Sequence, residues 1–378
     1  MKRGVVVVLV LHVAAVAGDV GVDPADARVA YLHARRLRTV DRLVRLLLAQ
    51  RNVEEARKLL EPEVKRITTD ASKGSASVAD VRLVYLSGIV EEMAGRRTRR
   101  DELFETARKL TPSDEFAHLL IGKAFDELHR EDISEAALVR VLELAPYASL
   151  HDAEALELLI QSAHTNRRYA RAAELCDRLL KMLRRTASLK VQEDFFTQFE
   201  YLGMVSLGFA LLEETRPGAW QEALAKCERA WKLDPTRIEA PILGERIATR
   251  CPDKVRAAKL KETWRARSER VAQLLRRSIT AEPREPQNYN ALAWFLAELD
   301  RNHDEGIRAV TRALELRPGE FAFIDTLAEL QFKKGDVQAA IKTIRRVIDV
   351  CPYANDYYRH QLDRFEAALK RPKAAGVP

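Results

Sequence analysis

The sequence predicts an all-α chain, a right-handed α-solenoid of helix pairs, on three observations. The first is compositional. Hydrophobic residues at 47% and charged residues at 31% supply a core and exclude a disordered chain, while 15 Gly and 14 Pro in 378 residues are too few for a protein of short strands and turns. The second is an internal period. A shift of 34 residues brings Gly88 onto Gly122, Ala107 onto Val141, Leu110 onto Leu144 and Pro112 onto Pro146. The same shift brings Ala293 onto Leu327, Gly306 onto Ala340, Val310 onto Ile344, Ala313 onto Val347 and Pro318 onto Pro352. The third lies inside each period. Apolar residues recur every three or four positions, as in Phe104, Ala107 and Leu110 or Ile307, Val310 and Leu314, and a proline closes the second stripe. The unit is helix, turn, helix, stop.

In chain order, residues 1–18 read as a secretory signal peptide. Lys2 and Arg3 precede an apolar run from Gly4 to Gly18 that only His12 interrupts, and Ala15-Val16-Ala17 has the small residues of a cleavage site. The run falls short of the ~20 residues of a spanning helix. Acidic Asp19, Asp23 and Asp26 follow it. Cleavage after Ala17 is expected, with an uncleaved N-terminal anchor as the alternative; in either case the body is exported, to the periplasm or as a secreted protein. Residues 27–69 form an N-terminal helix pair whose turn begins at Arg51, and Asp70 to Ser77 is a polar loop. Residues 79–182 hold further repeats. Residues 183–250 combine an irregular segment with one more repeat, because Pro146 and Pro235 stand 89 residues apart, about 20 more than two periods. The charged stretch 181–199 is the expected weak point of the array. Residues 252–352 carry a basic helix and the C-terminal repeats. Tyr357, Leu362, Phe365 and Leu369 give residues 353–371 the single apolar stripe of a capping helix.

At these residues the chain resembles the tetratricopeptide repeat (TPR) family, in an exported bacterial form. That family packs two antiparallel helices in 34 residues and closes on a proline. Its pattern has a small residue at position 8, an aromatic at 11, Ala at 20 and 27, and Pro at 32. The unit from Glu115 answers with Gly122, Phe125, Ser134, Val141 and Pro146, and the unit from Met204 with Ala223, Ala230 and Pro235. The unit from Gln287 departs from it. Trp294 takes the small position and Ala297 the aromatic one, as though large and small members had exchanged places. The resemblance covers residues 27–371 and is strongest in 81–146 and 287–352. It implies a scaffold for protein–protein interaction whose concave face takes a peptide or helix.

The sequence offers little to catalysis: HExxH, GxSxG, GxGxxG after a strand and a phosphate-binding Gly-rich loop are all missing. A non-catalytic protein without cofactor is expected. Apart from His12, no two of the eight His stand at i, i+4, and Cys176, Cys227, Cys251 and Cys351 contain no CxxC, so no metal site is expected. Export permits a Cys227–Cys251 disulfide; alternatively these cysteines serve as small hydrophobes. His151-Asp152 and His303-Asp304 fall at inter-helix turns, where the Asp is expected to cap the next helix.

A peptide-binding subset of the family grips a C-terminal carboxylate with Lys and Asn at positions 5 and 9. Here those positions hold Tyr85 and Ile89, Leu119 and Lys123, Ala291 and Phe295, Asp325 and Glu329, so that clamp is missing. The inward positions instead offer Tyr85, Ile89, Met93, Lys123, Phe295 and Leu299, with Asp325 and Glu329 beside them, as candidate partner-binding residues. The alternative is packing against a neighbouring helix.

The net charge of +7 is modest, and no nucleic-acid partner is expected. From Lys254 to Arg277, nine cations face two carboxylates, which alone accounts for that surplus. Lys254, Lys261, Arg265, Arg270, Arg276 and Arg277 are candidate contacts to lipid headgroups or acidic polysaccharide, which would make the chain an anion-binding envelope protein; the alternative is a solvated helix face. Membrane contact through an uncleaved anchor is a separate route. First helices also end in cations: Arg96, Arg97, Arg99 and Arg100; Arg130; Arg167 and Arg168; Arg301; Lys333 and Lys334. They form a basic strip, or they simply offset helix dipoles at ~0.3–1 kcal/mol each.

Overall fold

A computed structural model describes residues 24–70, 76–144, 149–185, 193–350 and 356–370, with side chains described from Arg35 onward. The expected signal peptide, Lys73, Pro146, Cys351, Pro352 and the stretch 186–192 lie outside the described residues. Those described residues form seventeen helices and no strand. Contacts divide the chain into two units, 1–113 and 114–378. The first holds the pairs α1 (Pro24–Ala49) with α2 (Val53–Asp70) and α3 (Val78–Met93) with α4 (Arg97–Leu110). The second begins with α5 (Glu115–Asp126) and α6 (Glu131–Leu144), α7 (Leu150–Thr165) and α8 (Tyr169–Arg185), and α9 (Glu193–Glu213) and α10 (Ala219–Leu233). It continues with α11 (Glu239–Arg250) and α12 (Lys254–Ala281), α13 (Pro286–Glu298) and α14 (His303–Leu316), and α15 (Phe321–Lys334) and α16 (Val337–Val350), and closes on α17 (Asp356–Lys370).

Several helix starts are fixed by side-chain caps. Ser77 with Asp80 and Ser149 with Asp152 form reciprocal capping boxes, and Asp114 and Asp253 accept the third backbone N–H of their helices. Asp152 therefore has the expected capping role. Asp304 does not: it pairs with Lys334 at 2.7 Å, and Asn302 occupies the N-cap. In six pairs the turn holds a single residue of positive φ, namely Arg51 (58°), Gly95 (76°), His129 (55°), Arg167 (58°), Gly218 (90°) and Gly335 (95°). The α13–α14 turn has two, Asp300 (53°) and Asn302 (50°).

The 34-residue glycine has a steric cause. A Cβ at Gly88 would lie 2.4 Å from Phe104 Cε1, and one at Gly122 would lie 2.6 Å from Leu138 Cδ2, so each glycine is the seat of a large side chain from its pair's second helix. The carbonyl oxygens of Arg100 and Ser134, each twelve residues on, stand 3.5 Å from these two positions. In α13–α14 the close approach joins Ala293 to Gly306, thirteen residues on. The extra residue sits in the turn with two positive φ angles. This corrects the expected exchange of large and small members: Ala293 is the buried small residue, Ala297 is buried too, and Trp294 turns outward with 36% exposure.

In the second unit α5 contacts α7, α9 contacts α11 and α13 contacts α15, and second helices pack between first helices. Of the charged stretch 181–199, the described residues 181–185 and 193–199 are helical. Leu183 closes the buried stripe of α8, and Phe195, Phe196 and Phe199 at the start of α9 pack on the cluster of Leu179 and Leu159. Further along α9, Tyr201, Val205 and Phe209 enter the next cluster with Leu243 and Trp264. The α9 helix is long and apolar enough to cross a membrane, and half of it is buried between these two clusters. At the end, Phe365 of α17 is buried against Phe332, ring centroids 4.7 Å apart, over Ala328, Ala340 and Ile344.

Candidate functional site

The cap at Asp114 sets the rotation of α5. Ala117, Ile121 and Phe125 turn into the core, and Phe116 and Leu120, one turn apart, share the outer side. Phe116 is 54% and Leu120 36% exposed. On the adjacent α7, Leu150 is 70% exposed and the His151 ring lies 5.6 Å from that of Phe116. The two helix starts are joined by Ser149 Oγ, which donates to Glu115 Oε2 at 2.9 Å, and one turn on by the Lys123–Glu154 ion pair. The result is a set of exposed apolar side chains, Phe116 and Leu120 on α5 and Leu150 at the start of the adjacent α7, near His151 and that ion pair. Of these, only Lys123 was among the residues predicted from sequence. The signal for the rest was present: Phe116 and Leu120 lie outside the stripe that α5 needs for its core.

The other predicted partner-binding residues fall elsewhere. Tyr85 and Ile89 are buried in the first unit, with the Tyr85 ring 5.7 Å from that of Phe104, and Met93 is half-buried near the end of α3. Phe295 is fully buried and Leu299 packs against the same cluster. Tyr85, Ile89 and Phe295 are thus core residues and not ligand anchors. For Phe295 the cause is the longer turn, since one residue of slip rotates a helix face by about 100°.

Asp325 and Glu329 are engaged by α17. Tyr357 donates its hydroxyl to Asp325 Oδ2 at 3.0 Å, Gln361 donates to that hydroxyl at 3.2 Å, and Arg364 pairs with Glu329. Asp325 Oδ1 is shielded from solvent and has no hydrogen-bond donor. Burial pushes this carboxyl up to about 6, helped by the charge of Glu329 and opposed by the Tyr357 hydrogen bond.

The same region is met by turns from the start of the unit. Arg167, in the α7–α8 turn, donates to Glu298 of α13 at 2.9 Å, and Arg246 of α11 pairs with the other oxygen of that carboxylate. His129, in the α5–α6 turn, places its ring 5.2 Å from Phe321 and 6.4 Å from Tyr358. Burial lowers the His129 pKa, against the pull of Asp126, Glu320 and Glu131.

The basic features separate into two kinds. On α12, Lys254, Lys261, Arg265, Arg270 and Arg277 are exposed, and no described carboxylate lies within bridging distance of them. Arg276 differs from its expected role, since it grips both oxygens of Glu305 at 2.7 and 2.9 Å and also meets Glu269 at 3.0 Å. The cations at helix ends are mostly neutralised: Arg99 by Glu102, Arg100 by Asp101, Arg130 by Asp132, Arg168 by Glu135, Arg301 by Glu245 and Lys334 by Asp304. They do not make a free basic strip.

Cys176, Cys227 and Cys251 are free and buried, so the Cys227–Cys251 disulfide that export would permit is not formed and the cysteines pack as small hydrophobes. Cys227 Sγ donates instead to the Ala240 carbonyl at 3.2 Å. Among the described residues no three His, Cys, Asp or Glu side chains group as metal ligands.

The glycine seats, the single left-handed residue at most turns and the 34-residue spacing define the class: an all-α array of TPR-like helix pairs. No family model matches the sequence, and no curated protein matches it. Solved structures are similar to it at low identity. A thermophilic TPR protein of Thermus thermophilus is 17% identical, covers 57% of this chain and 96% of its own, and has a TM-score of 0.36. The TPR domain of P58(IPK) is 14% identical, covers 90% of this chain and 100% of its own, and has a TM-score of 0.25. The TPR2AB domain of yeast Sti1, in complex with Hsp90, is 13% identical, covers 68% and 98%, and has a TM-score of 0.25.

Proposed function

We propose that the protein is a non-catalytic scaffold that works outside the cytoplasm and holds a peptide or helix of another protein on the concave face formed by α5 and α7. The observation that carries this reading is the exposure of Phe116, Leu120 and Leu150, three large apolar side chains left to solvent on two adjacent helices in a chain that is 31% charged. Side chains of this kind contribute ~1.5–3 kcal/mol each when fully buried, so a partner that covers them gains enough to bind specifically. His151 and the Lys123–Glu154 pair stand near them as polar groups that set orientation. Export rests on Lys2, Arg3 and the apolar run from Gly4 to Gly18.

The test places a photo-crosslinking residue at Leu120 or Leu150 in cells, with the 82%-exposed Val255 of α12 as a control. One partner is expected at both positions and not at Val255, and Phe116→Ala with Leu120→Ala should weaken its binding at least tenfold. The same captures at Val255, or unchanged binding by the double variant, would defeat the reading. The five exposed, unbridged cations of α12 favour a second reading, contact with anionic lipid or acidic polysaccharide. In that case sedimentation with anionic vesicles falls steeply as salt is raised, because exposed charges are screened over ~8–10 Å at physiological ionic strength.

A further inference from the structure

The last helix among the described residues is α17. Within the last units α15 has α14 on one side and α16 on the other, whereas α17 packs on α16 and has no following helix among the described residues. Between them, α16 and α17 enclose an open groove of about 700 Å³. Its floor is Ile341, almost wholly buried, and its wall is Leu369, 50% exposed. Its lining runs along α16 from Gln338 to Asp349, about three turns or ~17 Å at 1.5 Å per residue, and meets α17 over its last turn, from Glu366 to Lys370.

The rim is basic. It carries Lys342, Arg345, Arg346 and Lys370 against Asp349 and Glu366. Arg345 is neutralised by Glu366 at 2.6 Å, while Lys342, Arg346 and Lys370 have no described carboxylate within bridging distance. The sign of this rim selects among occupants. The segment that follows α17, residues 371–378, contains Arg371 and Lys373 and no acid, so it carries the wrong charge. A second copy docked groove to groove would set two basic rims against each other.

We infer that this groove seats an acidic amphipathic helix from another protein, which inserts an apolar side chain between Ile341 and Leu369 and packs on α16 and the end of α17. The inference is independent of the exposed α5 and α7 side chains. Helix-in-groove recognition supplies the apolar anchor, and the acidic face meets the three unneutralised cations.

The probe is a fluorescein-labelled 16-residue helical peptide with leucines on one face and glutamates on the other, titrated into the full chain by anisotropy. Its twin carries lysine at every glutamate. The acidic peptide should bind and the twin should not; Lys342→Glu with Arg346→Glu should weaken binding more than tenfold and admit the lysine twin. Phe116→Ala should leave it unchanged. Equal binding of both peptides, or an acidic peptide indifferent to the double reversal, overturns the inference. So does binding that appears only after removal of residues 371–378, which would make the tail the occupant. A dimer that Leu369→Asp abolishes would overturn it in favour of a second copy.

Discussion

Gly244 of α11 lies under the indole of Trp264 of α12, the largest fully buried side chain among the described residues. Replacement by Ala would place Cβ 2.0 Å from Trp264 Cδ2 and 2.4 Å from Cε2 and Cε3, where carbon atoms normally rest ~3.5–4.0 Å apart. The ring cannot yield easily. Trp231 meets it edge-on at 6.2 Å between centroids, and the Arg267 guanidinium covers it at 4.2 Å. Ala is the better helix former by ~1 kcal/mol. Overpacking costs ~1–3 kcal/mol and occasionally more, and a rigid bicycle facing so large a shortfall belongs at or above the top of that range. The expected net loss is therefore ~2 kcal/mol, a fall of ~4–8 °C in Tm for a unit of this size. Circular dichroism melts measure the fall, and hydrogen exchange across α11 and α12 shows whether it is local. The decisive control is the same substitution in a Trp264→Phe background. The smaller ring leaves room for the methyl, and no hydrogen bond is lost because Trp264 Nε1 has none. There Gly244→Ala should cost little, a coupling of at least ~1 kcal/mol. A Gly244→Ala protein that melts at or above the wild-type temperature, or that loses equally in both backgrounds, would refute the wedge.

Two more outcomes follow from buried titratable groups. Asp325 is raised from 3.8 to about 6 on folding, so the folded state holds the extra proton between those values and stability falls as pH rises through them. The penalty is complete above about 6, and Asp325→Asn, which keeps an acceptor for Tyr357, should melt higher than wild type at pH 7.5 and equally at pH 3.5; a gain of the same size at both would refute the assignment. Burial pushes the Cys176 thiol up to about 12 and the Cys227 thiol well above its usual range. Both should resist a thiol reagent until the protein unfolds. Rapid labelling in the native state would contradict their burial, and a Cys227–Cys251 peptide in a non-reducing digest would contradict the free thiols.

Local spacing was legible and distant pairing was not. Gly88 and Gly122 announced the repeat because each is a steric necessity on its own helix, opposite a residue sixteen positions away. The α13 face was misread because the extra turn residue at Asp300 and Asn302 has no apolar signature of its own; it displaced Phe295 from an expected groove into the core and left Trp294 outside. The basic turns were ambiguous for a different reason. Arg301 finds Glu245 and Arg167 finds Glu298, partners 56 and 131 residues away that no helical period connects. The exposed apolar residues of α5 could have been found, since Phe116 and Leu120 exceed what its buried stripe uses. The seven residues 186–192 lie outside the described residues; the helix that follows them starts at Glu193, because Phe195, Phe196 and Phe199 give α9 a buried start.

The meeting of His129 with Phe321 and Tyr358, and of Arg167 with Glu298, changes what kind of object the second unit is energetically. In an open stack each repeat feels only its neighbours, and the last one frays without consequence for the first. Here α17 is fastened to the α5–α6 turn, so the two extremities share their opening free energy and fraying at one is felt at the other. These long-range contacts also carry the largest chain-closure entropy in an otherwise local topology, which makes them the last to form and the first to reward an intact array. The unit thus acquires the boundary condition of a loop: a lesion in any middle repeat is transmitted to both ends, because it removes the fixed distance over which they meet.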